Sequence, residues 1–239
     1  MHSSHMKLLP SLVVLLLMSF SAFAQQRKVF KINPGQKVIE GIPRQDLYKY
    51  PTFILGEVYF KNGRVGTAQM NYNNLYAEIQ FVGPKMDTLS LSEEKSIDYI
   101  KINADTFFYH EGYLESIAIY GPVRLAKKNF IDYVKKEKLD GYGQKSSASI
   151  ETYSSMSGGG NQALRELVAK EILTFAPYTS YYFGDRFNKF KVATRKNLLS
   201  MFGKDTNQET RIDNFLKTES IDFRNPDDLL KVAVFISNL

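Results

Sequence analysis

The chain has 239 residues, with 31 Lys and Arg against 25 Asp and Glu for a formal net charge of +6, and 44% of it is hydrophobic. That balance excludes intrinsic disorder, a collagen-like repeat and a coiled coil. The absence of cysteine excludes a disulfide framework, a thiolate zinc site, an iron–sulfur cluster, a cysteine nucleophile and a lipid-modified N-terminal cysteine.

Lys7 precedes an uncharged, Leu- and Val-rich run from Leu8 to Ala24 that closes with Ala22-Phe23-Ala24. A basic start, an apolar middle and a small-x-small exit read as a signal peptide, residues 1–24, cleaved after Ala24. The expected location is therefore periplasmic or secreted, and not that of a lipoprotein. An uncleaved anchor is disfavoured, because the run falls short of the roughly 20 residues a spanning helix needs and is diluted by Pro10, Ser11, Ser19 and Ser21. Met1 to His5 read as a scar or an upstream start, since Met6-Lys7 begins the signal better. No later stretch approaches spanning length, and the remaining charge is a mild excess spread over both halves. Loose attraction to anionic surfaces fits that spread, whereas nucleic acid would call for a concentrated patch.

Residues 25–52 form an N-terminal extension, and 53–140 read as an antiparallel β-meander, either a sheet, a sandwich or a partial barrel. Short apolar segments alternate there with turn residues every 8 to 12 positions. Gly56 to Phe60 and Val65 to Tyr72 flank Asn62-Gly63, a pair suited to a type I′ turn. Asn73-Asn74 is a second turn, followed by Leu75 to Val82 with Leu75, Ala77, Ile79 and Phe81 on one face. Further strands are expected at Thr88 to Leu91, Ser96 to Ile102, Thr106 to His110, Tyr113 to Tyr120 and, briefly, Val123 to Ala126. Local connections throughout argue against a parallel nucleotide-binding sheet.

Residues 141–160 are a Gly/Ser-rich loop, and 161–239 change to a helical period. Leu164, Leu167, Val168 and Ile172 form a stripe on a helix stopping before Pro177, and Tyr178 to Phe183 is a strand or packed loop. Phe187, Phe190, Thr194, Leu198, Met201 and Phe202 follow helical spacing to Gly203. Thr206 with Glu209 forms a capping box, and Asn225-Pro226-Asp227-Asp228 opens a last helix with a cap, a proline at the first position and favourable acids. The fold class is α+β, sheet first and helices second.

Chemistry leaves few traces. His110 is the one histidine after the leader, and His110-Glu111 lacks the second histidine of a zinc-protease helix. Ser157 sits in a degenerate Gly-x-Ser-x-Gly without a preceding strand, and the Gly-rich segments lack the Lys-Ser/Thr of a phosphate loop. Acid pairs occur at Glu93/Glu94, Glu111/Glu115 and Asp227/Asp228, of which the last is explained by capping. No catalytic residue, metal ligand or cofactor is assigned. Arg186, Lys189, Lys191, Arg195 and Lys196, interleaved with Phe187 and Phe190, are candidates for an anionic surface. Against this, both phenylalanines fall on the helical stripe and would be core. Lys127, Lys128, Lys135, Lys136 and Lys138 form a second basic cluster.

Several blocks carry a resemblance: Tyr50-Pro51-x-Phe53, Gly56-x-Val58-x-Phe60, Asn62-Gly63, Met70-Asn71-Tyr72-Asn73 and Phe107-x-Tyr109. Gly141-Tyr142-Gly143, Arg195-Lys196-x-Leu198, Met201-Phe202, Ile212-x-x-Phe215-Leu216, Ile221-Asp222-Phe223 and Asp228-Leu229 continue it. With these the chain resembles a set of exported β-plus-helical proteins of Bacteroidota-type bacteria with no known activity. The resemblance implies export and architecture but no catalytic residue or cofactor. The expectation is an exported protein without catalytic machinery that binds an envelope protein or glycan or builds the cell envelope. Its alternative is an envelope hydrolase with a carboxylate pair acting on glycan or peptidoglycan. Ligand, oligomeric state and the number of domains stay open.

Overall fold

A computed structural model describes residues 28–139, 145–146, 164–165 and 167–239. The expected leader, most of the Gly/Ser-rich loop and Ser157 lie outside the described residues. Ten antiparallel strands form one continuous sheet in the order β1-β11-β9-β8-β7-β6-β2-β3-β4-β5. They are β1 (Phe30–Ile32), β2 (Ile54–Phe60), β3 (Val65–Asn73), β4 (Glu78–Val82), β5 (Thr88–Ser90), β6 (Ile97–Ile102), β7 (Asp105–Tyr109), β8 (Tyr113–Tyr120), β9 (Val123–Leu139) and β11 (Ile172–Gly184). Two short strands attach at the side, β10 (Lys145–Ser146) to β9 and β12 (Phe190–Val192) to β11. The helices are the single turn α1 (Arg44–Leu47), then α2 (Arg195–Phe202), α3 (Thr206–Thr218) and α4 (Pro226–Ser237). This is the expected α+β class with a meander sheet, and the sheet is not a closed barrel.

Residues directly opposite in an antiparallel pair share a face. The register Val58↔Ile100, Ile100↔Phe107, Phe107↔Glu115 and Glu115↔Lys127 therefore traces one inner face across five strands. The sheet rolls about this face until the β3–β4 turn meets β8 and β9. There Ile131 N donates to Asn74 O and Tyr113 N to Ala77 O, at 2.8 and 3.0 Å. One core inside the roll gathers Val58, Met70, Tyr72, Ile79, Ile100, Ile102 and Phe107.

Further along the inner face, Val123, Leu125 and Phe183 meet Leu198, Ile212, Leu216, Leu229, Val232 and Ile236, so sheet and helices share a core. Phe215 and Phe235 stack there with centroids 4.0 Å apart. Helix starts follow local chemistry. Thr194, Asp205 and Asn225 each accept a backbone N–H in the first turn. Asn225-Pro226 behaves as the sequence implies, whereas Thr206 is inside its helix and Asp205 is the cap. Asp205 is one residue earlier and its carboxylate is the stronger acceptor beside the helix dipole.

Five other expectations change. The stripe Leu164 to Ile172 does not run on as a helix: Val168 bridges Lys37 and β11 begins at Ile172. Pro177 does not stop β11, because it lies opposite Ile131, whose N–H points away to Asn74. The missing N–H of Pro177 thus faces the outer edge, between the stretches covered by β1 and β12, where proline is tolerated. Val123 to Ala126 is the start of a 17-residue strand. Leu75 to Ala77 is a turn, held by Asn73 Oδ1 accepting from Leu75 N and Tyr76 N. At Asn62-Gly63 only Gly63 has a positive φ, +84°, so the loop is the three-residue kind and not type I′.

Candidate functional site: a lysine-bridged seam and a cationic groove

Two places collect charge. The first lies on the inner face of the roll, where β7 and β8 face the chain entering β2. Lys49 Nζ is 2.7 Å from Glu115 Oε2 and 3.3 Å from Asp105 Oδ2, while Lys127 Nζ is 3.1 Å from Glu115 Oε1. Tyr50 donates its hydroxyl proton to Asp105 at 2.6 Å. Burial first, then the Asp105 bond and the two carboxylate charges, push the Tyr50 phenol well above its ordinary range. Tyr72, buried nearby and donating to Asn129 O, is raised by burial and by Glu115.

Asp105 and Glu115 thus converge on one point, as the two carboxylates of a glycosidase converge on a substrate. The space between them holds the Lys49 ammonium. Glu115 accepts a second lysine, so neither carboxylate stands ready as an acid or base toward an incoming substrate. The seam holds strands together by charge-assisted bonds.

The sequence pairs resolve differently from their spacing. Glu111 occupies the exposed β7–β8 turn at φ +50°, while Glu115 points into the seam. Glu93 is an exposed left-handed residue ahead of β6. Asp227 and Asp228 sit in the first turn of α4, where Asp228 accepts from Lys231 and from Asp222 N. His110 lies beside Tyr182 and Phe190, at 5.9 and 6.2 Å between ring centroids. Burial and then the charge of Lys128 lower its pKa, against the opposing pull of Glu111. Among the described residues no three His, Asp or Glu side chains are grouped to hold a metal ion.

The second place is a groove of about 330 Å³ at the Gly184 end of β11. It runs between Pro122 of the β8–β9 turn, Arg186 and Phe187 of the β11–β12 turn, Met201 and Phe202 closing α2, Lys204 and Gln208 at α3, and Ile236 and Leu239. Arg124 fixes the turn by donating to Asp185 O and Arg186 O at 3.2 and 3.4 Å. The Asp185 carboxylate accepts from Phe187 N and Lys189 N, at 2.8 and 3.0 Å. The hairpin returns over the outer sheet face, where Phe190 joins Phe108, Leu114, Ala126 and Tyr182. Gly184 permits that return, since a Cβ there would lie 2.5 Å from the Phe190 ring.

The five basic candidates separate here. Arg186 and Lys189 belong to the turn, Lys191 to β12, and Arg195 and Lys196 to the first turn of α2. Arg195 is taken by Asp213, whose carboxyl it and Lys217 hold down to about 2. Lys191 Nζ donates to Ser200 Oγ at 2.9 Å. Among the described residues Arg186, Lys189, Lys196 and Lys204 have no carboxylate partner.

The helical stripe from Phe187 is overturned. Phe187 is 65% exposed in a turn, with the Arg186 guanidinium 4.7 Å from its ring centre, and Phe190 alone is core. Spacing could not reveal this groove, because Pro122, Arg186, Lys204 and Leu239 come from four separate segments. Among the described residues no helix is long and apolar enough to cross a membrane. Comparison with protein families, curated proteins and solved structures returns no match.

Proposed function

We propose that the protein is an exported component of the bacterial cell envelope that acts by binding an anionic ligand at the β11–β12 end, with no catalytic step. The observation that carries this reading is Phe187, 65% exposed in a groove beside Arg186 and Lys204. A large exposed aromatic flanked by unpaired cations supplies contact area and charge together. The signal-peptide pattern and the resemblance to exported Bacteroidota-type proteins support the location.

Retention on a soluble polyanion, dextran sulfate, tests it. Binding should weaken as salt rises from about 0.05 to 0.5 M, because exposed charges are screened. Arg186→Ala and Lys204→Ala should weaken it further at unchanged thermal stability. Equal retention by wild type and variants would sink the groove as the site.

The convergence of Asp105 and Glu115 favours one second reading, a carboxylate hydrolase of an envelope glycan. It requires Lys49 to withdraw. Turnover of a cell-wall glycan that disappears in folded Glu115→Gln would establish it, and identical rates in wild type and variant would end it.

A further inference from the structure

We propose that the anionic ligand is a lipid surface, and that the β8–β9 and β11–β12 turns are the parts that enter it. This deepens the binding reading above and rests on it.

The two turns form one tip. Ile119 lies opposite Arg124 in the β8–β9 register, and Arg124 holds the backbone of Asp185 and Arg186. At this tip Ile119 and Tyr120, on opposite faces at the end of β8, and Phe187 of the β11–β12 turn are 51%, 37% and 65% exposed. Val123 and Phe190, which open the strands leaving these two turns, are buried. An exposed aliphatic and two exposed aromatic side chains at the end of β8 and on the β11–β12 turn have the size and amphipathic character that settle at a bilayer interface.

Charge selects this occupant over an apolar protein face. Arg186 and Lys189 flank Phe187 and are without carboxylate partners among the described residues. The one acid in the turn, Asp185, is turned inward onto two backbone N–H groups. Long cationic side chains beside an inserting ring can reach back to phosphate headgroups. Each cation near an anionic surface adds roughly fivefold to partitioning.

The test uses the full chain and its variants, so that any leader is common to all. The protein has no tryptophan, and Phe187→Trp therefore places a single reporter at the tip. With phosphatidylcholine vesicles containing about a third phosphatidylglycerol, its emission should shift to the blue. Sedimentation with the vesicles should fall about tenfold or more in the paired variant Ile119→Ser with Phe187→Ser, and about fivefold in each of Arg186→Ala and Lys189→Ala. These positions are exposed, so thermal midpoints should not move.

Unshifted emission, equal sedimentation of the variants, or equal binding to pure phosphatidylcholine would overturn the lipid proposal. Binding to dextran sulfate without binding to vesicles would overturn it while leaving the anionic-ligand reading in place. Failure of both would overturn both.

Discussion

One sheet face is closed in two ways along its length. At the helical end Val123, Leu125 and Phe183 are covered by Leu198, Ile212, Leu229 and Val232, all at most 1% exposed. In the roll the same face carries Glu115 and Lys127, which meet Lys49 and Asp105. The apolar closure gains from removing hydrocarbon from water and has no directional demand. The charged closure must satisfy each group it desolvates, and only breaking it reveals its cost. Two carboxylates can therefore converge in a fold as part of its fastening.

The largest expected effect lies in the apolar closure. Leu229→Ala should cost about 4 kcal/mol in chemical unfolding, as a fully buried leucine in a shared core. Loss of helix and sheet signals in one transition would mark that core as common to both. Two separate transitions would break the comparison by making the helices an independent unit.

Next comes the seam. Lys49→Met should cost about 2 kcal/mol, less than emptying a fully buried pair because Lys127 still holds Glu115. A loss below about 0.5 kcal/mol would mean that water already screens these charges.

At alkaline pH the buried phenols sharpen the contrast. Burial raises Tyr50, Tyr72 and Tyr113 far above the ordinary range. A raised phenol contributes stability that is complete below the unfolded value of about 10 and lost as pH climbs above it. Absorbance should show these three phenols held back until the roll opens. A single ionisation step with the fold intact would contradict the buried seam. The smallest effect is Asp205→Ala, which should remove about 1 kcal/mol through the lost cap of α3.

Much of the sheet was legible. Tyr113 to Tyr120 emerges with both bounds as read, because alternation and flanking turns agree there. Asn225-Pro226 opens α4 for the same local reason. The failures occur where two periods fit one string. Leu164 to Ile172 fits a helix, yet hydrogen-bond partners on β9 and β1 were waiting for the chain that follows. Phe187 and Phe190 are spaced for one helical face, but a turn and a strand point them apart, one to water and one to the core. Glu111 and Glu115 looked like a pair, and the β7–β8 turn sends one outward and the other into the seam. The basic stretch was visible as composition, but which cations stay unpaired depended on Asp213 and Ser200, acceptors on other segments of the chain.

Some residues acting within a few positions of themselves were settled by the sequence alone: the Asn225-Pro226 helix start, the Tyr113 to Tyr120 strand and the absence of thiol chemistry. Each depends on backbone geometry and on neighbours that the chain cannot avoid. The tertiary structure decided the meeting of Lys49, Asp105 and Glu115, the tolerance of Pro177 within a strand, and the hold of Arg124 on the Asp185–Arg186 backbone. Those depend on which strands pair and how far the sheet rolls. Rolling brings distant segments within hydrogen-bonding reach, and that is a property of the whole sheet's packing, carried by no single stretch of residues.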